Sequence, residues 1–451
     1  MYNKIVISET HTDSLRELMF DKPGIEGAAF ILCGQSISAL GSKLISNFII
    51  PIKEEEYLLR EPYRLSISSA ALARVTKLAR HENLSIIFAH SHPQGSPEFS
   101  AQDDQEEEVL LPFLQKRVQG RIHGTLVMNE SEFRGRLYSP KRAAATEVNI
   151  VGNQFRRYAH ETVHINACFD RQVRAFGNDA QQLLTGLNIG IVGLGGTGSP
   201  IAEQLCRLGV GNLYLFDGDK FEDTNVNRVY GSSIKDAGEY KVIIAKNHIE
   251  RIGLGTNVYA YPRHITHLDS AMALRDCDII FGCTDKELPR AILQQLSLRY
   301  SIPVIDLGVL IDSSDGKILS VHGRVTTLKA GEACLFCRGR ISAEGIRIET
   351  LSDEDRQKQI KDGYAPELET HAPAVIAFTS GTASLAISEL LQRLTGYMGD
   401  ERQSSEVLIA FDLSRIRTNR VSPNPDCMCV DQSTWGAADT RPFLDMMWKS
   451  D

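Results

Sequence analysis

Short apolar runs and one helical repeat dominate the first third of the chain. "AAFILCG" (28–34) and "LSIIFAH" (84–90) are continuous apolar stretches of strand length, bounded by glycine or polar residues. Between them "AALARVTKLARH" (70–81) repeats its apolar positions at helical spacing. Residues 141–175 show no sheet pattern and no Gly/Pro-rich linker, so a partly helical connector is expected over 141–168. At Leu187 the pattern changes. Strand "LNIGIVG" runs into a glycine-rich turn, helix "SPIAEQLCRLG" and strand "NLYLFD". That βαβ unit predicts a parallel sheet with a right-handed crossover. "CDIIFGCTD" and "PVIDLGV" supply later strands. The polar block Arg340–Glu369 is expected to be an exposed loop. "PAVIAFTSGTASLAISELLQRLTG" reads as a long buried helix, and strand pattern returns from about Ser405.

With 451 residues the chain has room for two or three domains. A net charge of −8 argues against a general nucleic-acid surface. No run approaches the roughly 20 apolar residues of a bilayer span, and "MYNKIVISET" lacks the apolar core of a signal peptide. A cytoplasmic protein without nucleic-acid or membrane partners is therefore expected. In that compartment, nine cysteines point to thiols or metal ligands rather than disulfides.

Candidate chemistry begins at "AHSHPQGSPEFSAQDD" (89–104). His90 and His92 are two apart, so in extended chain they point to one side. Pro93 ends the ladder. Ser100 is a good helix N-cap and places Asp103 in the first turn. Two imidazoles and a carboxylate leave zinc an open position for water, as catalytic sites do, and zinc makes that water acidic. Asp104 is the alternative carboxylate, and Glu26 is the candidate base. The plainer alternative is a pair of surface histidines beside a helix cap.

Glu26, "HSHP" and "SAQD" together resemble the JAMM (JAB/MPN) metalloproteases over about residues 1–140. The resemblance implies that His90, His92 and Asp103 bind Zn2+, that Glu26 shuttles protons and that Ser100 helps hold the tetrahedral intermediate. It implies cleavage of peptide or isopeptide bonds after the C-terminus of a ubiquitin-like protein.

"IVGLGGTGSP" (191–200) follows a strand and opens a helix, the context a phosphate-binding glycine turn requires. Asp217 ends the next strand, where an acid can bind ribose hydroxyls. That much suits a dinucleotide site equally. Asn225 and Arg228 in "NVNR", then Lys241, supply an amide and two cations fit for a phosphoryl transition state. Asp285 in "GCTD" could hold Mg2+. Gly193, Gly195, Gly196, Gly198, Ser199, Asp217, Asp219, Asn225, Arg228, Lys241 and Asp285 resemble the ATP site of ThiF-type adenylating enzymes. "FDRQVRAFGNDAQQLL" resembles that family's first helix, whose arginine, here Arg171, reaches the ATP site of a dimer partner. The resemblance implies a homodimer that adenylates the C-terminal glycine of a ubiquitin-like or sulfur-carrier protein.

Cys334 and Cys337 ("CLFC") with Cys427 and Cys429 ("CMC") suit a closed four-thiolate Zn2+ site, which the ThiF-type family also has. The second pair departs from the family by having one residue between its cysteines instead of two. Reduced, metal-free thiols are the alternative, and then Cys427 or Cys429 becomes a candidate thioester nucleophile. No cysteine lies between Cys337 and Cys427. The activated carboxylate is thus expected to pass to a separate acceptor, such as a conjugating enzyme.

The expected architecture is α/β: a JAMM-type domain (1–140), a helical connector (141–168) and a Rossmann-like ThiF-type domain with a mainly parallel sheet (169–451). One half would cut after a ubiquitin-like tail and the other would activate it. The chain resembles bacterial fusions in ubiquitin-like conjugation clusters, with antiphage defence as the setting that family suggests. Sulfur-carrier trimming and activation is the runner-up, and a binding scaffold with one inactive half is the third reading.

Overall fold

The structure, a computed structural model, describes residues 2–139, 146–159, 164–361, 373–399, 402, 405–439, 442–446 and 448. The chain divides into two compact units.

The first unit takes Met1–Thr162 together with Arg299–Ser301 and Gln432–Arg441. Its elements are β1 (Tyr2–Ser8), α1 (Glu9–Met19), β2 (Ala28–Ile37), β3 (Gly41–Pro51), β4 (Tyr57–Glu61), β5 (Arg64–Ile67), α2 (Ser69–Glu82), β6 (Ser85–Ser91), α3 (Ala101–Arg117), β7 (His123–Met128), β8 (Phe133–Tyr138), β9 (Glu147–Val151) and β10 (Phe155–Tyr158). Eight strands form a mixed sheet in the order β10-β9-β1-β3-β2-β6-β7-β8, and β4–β5 is a separate hairpin.

Strand alternation divides the apolar residues of β2 between the sheet's two faces. Ala29, Ile31 and Cys33 join Leu15 and Met19 of α1 in one core. Ala28, Phe30 and Leu32 join Ala71, Val75 and Ala79 of α2 and Leu114 of α3 in the other. Both faces of β2 are therefore covered, which explains its unbroken apolar run. Burying each large side chain contributes about 1.5–3 kcal/mol. Ser68 caps α2 by accepting from Ala71 N, and Asn83 ends it in the left-handed region.

Two expectations fail in this unit. The region expected to be a helical connector contains β9, which pairs in parallel with β1, and β10, which returns antiparallel to it. β9 has a buried apolar run, Val148 to Val151, too short to separate strand from helix by periodicity. Residues 141–145 and 160–163 lie outside the described residues. The late segment around Gly436, placed by sequence with the second domain, instead packs on β2 and β3. Asp439 N donates to Gln35 O at 3.3 Å, and Asn47 Nδ2 donates to Trp435 O. A Cβ on Gly34 would lie 2.1 Å from Gly436 O, so the approach requires glycine.

The second unit takes Val163–Leu298, Ile302–Asp431 and Pro442–Asp451. It contains α4 (Asp170–Gly186), β11 (Asn188–Val192), α5 (Gly198–Arg207), β12 (Asn212–Phe216), α6 (Lys241–Ile252), β13 (Asn257–Tyr261), α7 (Leu268–Ala273), β14 (Ile279–Gly282), α8 (Glu287–Arg299), β15 (Val304–Ser314), β16 (Lys317–Leu328), α9 (Ala343–Thr350), α10 (Asp353–Lys361), α11 (Ile376–Thr395), β17 (Glu406–Ala410) and β18 (Arg415–Asn419). The sheet order is β13-β12-β11-β14-β15-β16-β17-β18. The first five strands run parallel and the last three antiparallel, so the sheet is mainly parallel, as expected. The block expected as an exposed loop holds α9 and α10. Both are short and polar, and α9 has no buried residue. Without an apolar stripe, neither gives a helical signal. Residues 362–372 lie outside the described residues.

No described helix is long and apolar enough to cross a membrane.

Candidate functional site

β6 is buried along its length and ends with His90 and Ser91. It pairs with β2 at Ala28↔His90. Glu26, two residues before Ala28, is thus level with His92 across an antiparallel pair. Ser91, between the histidines, fastens the two segments: its Oγ accepts from Gly27 N at 2.9 Å and donates to Met19 O at 3.1 Å. Ser91 is a positioning residue that sequence reasoning missed, though its place inside "HSHP" was a usable signal.

Asp103 arrives from the other side, in the first turn of α3. Ser100 caps that helix reciprocally: its Oγ accepts from Asp103 N, while its N and Oγ donate to Asp103 Oδ2 at 2.6 and 2.7 Å. Ser100 therefore orients Asp103. Asp104 instead accepts from Arg136 at 2.6 Å.

One ligand atom from each of His90, His92 and Asp103 lies within 4.8 Å of the others. His90 Nε2 is 3.0 Å from Asp103 Oδ1, and His92 Nε2 is 3.6 Å from Oδ2. His92 Nδ1 sits 3.1 Å from Ser96 O. In the tautomer that donates there, the Nε2 lone pair faces Asp103. Nδ1 of buried His90 has no hydrogen-bond partner among the described residues, and Nε2 meets only the Asp103 carboxylate. Orphaned polar atoms of this kind are costly unless a ligand satisfies them, so the donor set fits a divalent metal. Burial works against ionisation of Asp103, but His90 and Ser100 hold its carboxyl far below the usual range. Burial and His90 also lower His92, which favours the neutral, metal-binding form. Buried Glu26 has the opposite character: desolvation pushes it up to about 7, with Asp103 and Glu106 adding to the rise against His90. One carboxylate is poised to bind a cation and the other to exchange a proton near neutrality.

In the second unit the glycine loop joins β11 to α5. Gly193 has φ +90°, and a Cβ there would meet Cys283 O at 2.6 Å. On Gly198 a Cβ would lie 1.8 Å from Gly193 O. The loop can turn this tightly only with glycine at both positions. Ser199 Oγ donates to Gly195 O at 2.8 Å and accepts from Tyr230 N at 3.0 Å.

Asp217 is buried and braces this loop. Its Oδ2 accepts from Leu194 N at 2.7 Å and its Oδ1 from Asp219 N at 2.8 Å. Burial raises its pKa against the pull of Lys241. The more exposed Asp219 accepts from Lys241 Nζ at 2.9 Å, which lowers its pKa against its own burial. Arg228 passes beside Gly196, with its Cδ 3.4 Å from a Cβ built there, and follows buried Asn225 in the same turn. Asp285 follows β14 by three residues, next to Thr284, whose backbone N approaches Gly193. Thr379, which opens α11 over Gly196, and Arg290, which donates to Asp285 O at 3.5 Å and pairs with buried Asp306, were not anticipated. Neither belongs to a local motif, so only the fold brings them to the loop.

Arg171 stands apart from this cluster. It is exposed in the first turn of α4. Its neighbour Gln172 donates to Arg207 O, at the end of α5 opposite the glycine loop. Ten helical residues span about 15 Å.

Cys334, Cys337, Cys427 and Cys429 place their sulfurs within 4.8 Å of one another, with 3.5 Å between Cys334 and Cys427 and 3.7 Å between Cys337 and Cys429. Disulfide sulfurs would be about 2.05 Å apart, whereas four thiolates around zinc are about 3.8 Å apart. The one-residue gap in "CMC" does not prevent the cluster, and the donors suit a closed structural metal.

Residues 169–429 match the ThiF family, and residues 8–133 match the prokaryotic homologs of the JAB domain. The chain is 27% identical over 188 residues to the "Adenylyltransferase and sulfurtransferase uba4" of Aspergillus fumigatus, covering 42% of this chain and 36% of that protein. That match spans about a third of the fungal protein's length. Protein HesA of Leptolyngbya boryana is 26% identical over 265 residues, covering 58% of this chain and 83% of HesA. Among solved structures, MccB of E. coli aligns with a TM-score of 0.47 and 18% identity, covering 60% of this chain and 73% of that one.

Proposed function

Because the chain belongs to the ThiF family and carries an N-terminal JAB domain, we propose that it is a bifunctional enzyme acting twice on the C-terminus of a ubiquitin-like protein. Its first unit hydrolyses the bond after the terminal glycine of a precursor or conjugate. Its second unit adenylates the exposed carboxylate. The observation that supports this reading is the presence of both clusters on one chain. One is a three-ligand set beside a buried, proton-exchanging carboxyl. The other is a glycine loop braced by Asp217, with Arg228 beside Gly196 and Lys241 paired to Asp219.

In the first unit His90, His92 and Asp103 would hold zinc, whose chemistry there is to acidify a water and polarise a carbonyl. Glu26 takes the proton from the attacking water and returns it to the leaving amine. Ser91 keeps the Glu26 segment level with the histidines, and Ser100 keeps Asp103 turned toward them.

In the second unit the loop amides from Gly193 to Ser199 cradle the ATP phosphates at the N-terminus of α5. A carboxylate oxygen of the substrate attacks the α-phosphorus, the bond to the bridging oxygen breaks, and pyrophosphate leaves with the electron pair. Arg228 and Lys241 meet the charge that develops. Asp217, at the end of β12, would receive the ribose hydroxyls, while Asp219 holds Lys241 beside it. Asp285 would hold magnesium, which neutralises phosphate charge. Arg171, in the first turn of α4, sits next to Gln172 at the end of α5 away from the glycine loop, which supports action on a partner's site in a homodimer. The four cysteines would hold a structural zinc.

A second reading rests on the similarity to proteins named adenylyltransferase and sulfurtransferase: the activated carboxylate becomes a thiocarboxylate on a sulfur carrier. The bacterial conjugation setting and antiphage defence rest on the fusion of the two domains alone. The test is to supply Gly-ending ubiquitin-like and sulfur-carrier proteins with ATP and measure pyrophosphate exchange, then identify the product by mass. An amide-linked conjugate supports ligation and a thiocarboxylate supports sulfur transfer. Absence of exchange with every carrier would overturn both.

A further inference from the structure

α8 begins at Glu287, two residues after Asp285. The first backbone N–H groups of a helix have no partner within it. Here one carboxylate takes two of them: Glu349 Oε1 accepts from Glu287 N at 2.9 Å and Oε2 from Leu288 N at 2.8 Å. Glu349 belongs to the last turn of α9. The favour is returned at the other end of that helix. Glu287 Oε2 accepts from Ser342 N at 2.7 Å and from Ser342 Oγ at 3.2 Å. Ser342 is the N-cap of α9 and accepts from Gly345 N at 2.9 Å.

Each helix start is thus bound by a glutamate of the other helix. The exchange is tight: a Cβ on Gly345 would lie 2.2 Å from Glu287 Oε2. α9 has no buried residue, so the exchange of caps, not a hydrophobic face, ties it to α8. The other acid on α9 takes no part, since exposed Glu344 pairs with Arg347 at 2.6 Å. An anion at a helix N-terminus is stabilised by the helix dipole as well as by the hydrogen bonds. The backbone fixed in this way is the segment directly after Asp285.

We propose that Glu349 is a positioning residue for adenylation: by closing the N-terminus of α8 it sets the backbone that carries Asp285 toward Mg·ATP. The inference rests on the adenylation reading and extends it to α9.

The experiment compares Glu349→Ala, Glu349→Gln and Glu344→Ala in the full chain. Amide hydrogen exchange at Glu287 and Leu288 is read without nucleotide, and the Mg2+ concentration for half-maximal ATP–pyrophosphate exchange is read with it. Glu349→Ala should speed exchange at both amides and raise the Mg2+ requirement about tenfold, in keeping with loss of a helix cap. Glu349→Gln keeps one acceptor oxygen and should fall between Glu349→Ala and wild type. Glu344→Ala should match wild type in both readouts. Faster amide exchange in Glu349→Ala and Glu349→Gln with an unchanged Mg2+ requirement would overturn the proposal, as would equal effects of Glu344→Ala. A wild-type protein with no pyrophosphate exchange would remove the adenylation reading, and the proposal with it.

Discussion

His90, His92 and Asp103 come from one strand end and one helix start within residues 90–103, whereas the residues around the glycine loop come from segments scattered between Gly193 and Thr379. The metal set is held by burial and by short local bonds: the Ser100–Asp103 cap, the Ser91 bridge and the His92–Ser96 contact. The glycine-loop cluster is held by close backbone approach and by the bonds that link Leu194, Asp217, Asp219 and Lys241. A compact site of this kind fails when one member is lost. A distributed one loses function in portions.

The largest effect should come from separating the two sites. Glu26→Gln should lower hydrolysis about 10³-fold, as loss of a general base does, with metal content by elemental analysis and ATP–pyrophosphate exchange both unchanged. Loss of exchange in that variant would mean that the two sites are not independent. His90→Ala with His92→Ala should remove the metal as well as the cleavage.

Next, Lys241→Ala should slow pyrophosphate exchange about 10²-fold, through loss of charge at the phosphates and of its pairing with Asp219. Precursor cleavage should continue at the wild-type rate. An intact exchange rate would remove Lys241 from the phosphate site.

A smaller effect is expected at the cysteine cluster. Cys427→Ser should lose the bound zinc and lower the thermal midpoint, because a structural metal contributes to folding. Zinc retained in full would take Cys427 out of the ligand set and restore it as a candidate nucleophile.

The smallest effect concerns pH and sharpens the contrast between Glu26 and Asp103. Burial raises Glu26 to about 7, so the folded state keeps a proton that the unfolded chain gives up near its ordinary pKa of about 4.5. Its contribution to stability is complete below pH 4.5 and is lost as pH rises through about 7. In metal-free protein, Glu26→Gln should therefore be the more stable form above pH 7, by about 1–3 kcal/mol after solvent screening, and equal to wild type at pH 4.5. Denaturant titrations at the two pH values measure this. A difference that grows toward low pH would reverse the assignment.

Much of both sites was legible because their chemistry sits in local patterns. "HSHP", "SAQD" and the glycine turn keep fixed spacing and lie at element boundaries that the apolar runs already mark. Glu26 was legible only as an acid before a strand. Its place beside His92 depends on the Ala28↔His90 register, which sequence does not encode locally. β9 was missed because a short buried run has no diagnostic period. α9 was missed because its helix is held by exchanged carboxylate caps rather than by an apolar face. The docking of the segment around Gly436 onto Gly34 is a backbone contact between glycines more than 400 residues apart, and no local pattern announces it. Arg228, Lys241 and Asp285 stand in short motifs, whereas the bracing of the glycine loop by Asp217, through Leu194 and Asp219, is visible only in the fold.

The central claim is that one chain first exposes a carboxylate and then activates it. It is tested most directly by ATP–pyrophosphate exchange with a ubiquitin-like protein supplied either as C-terminally extended precursor or as the mature, Gly-ending form. The account predicts that wild type exchanges with both forms, and that the His90→Ala, His92→Ala variant exchanges with the mature form alone. Equal exchange by that variant with the precursor would contradict it, as would a wild type that activates the mature form and never the precursor.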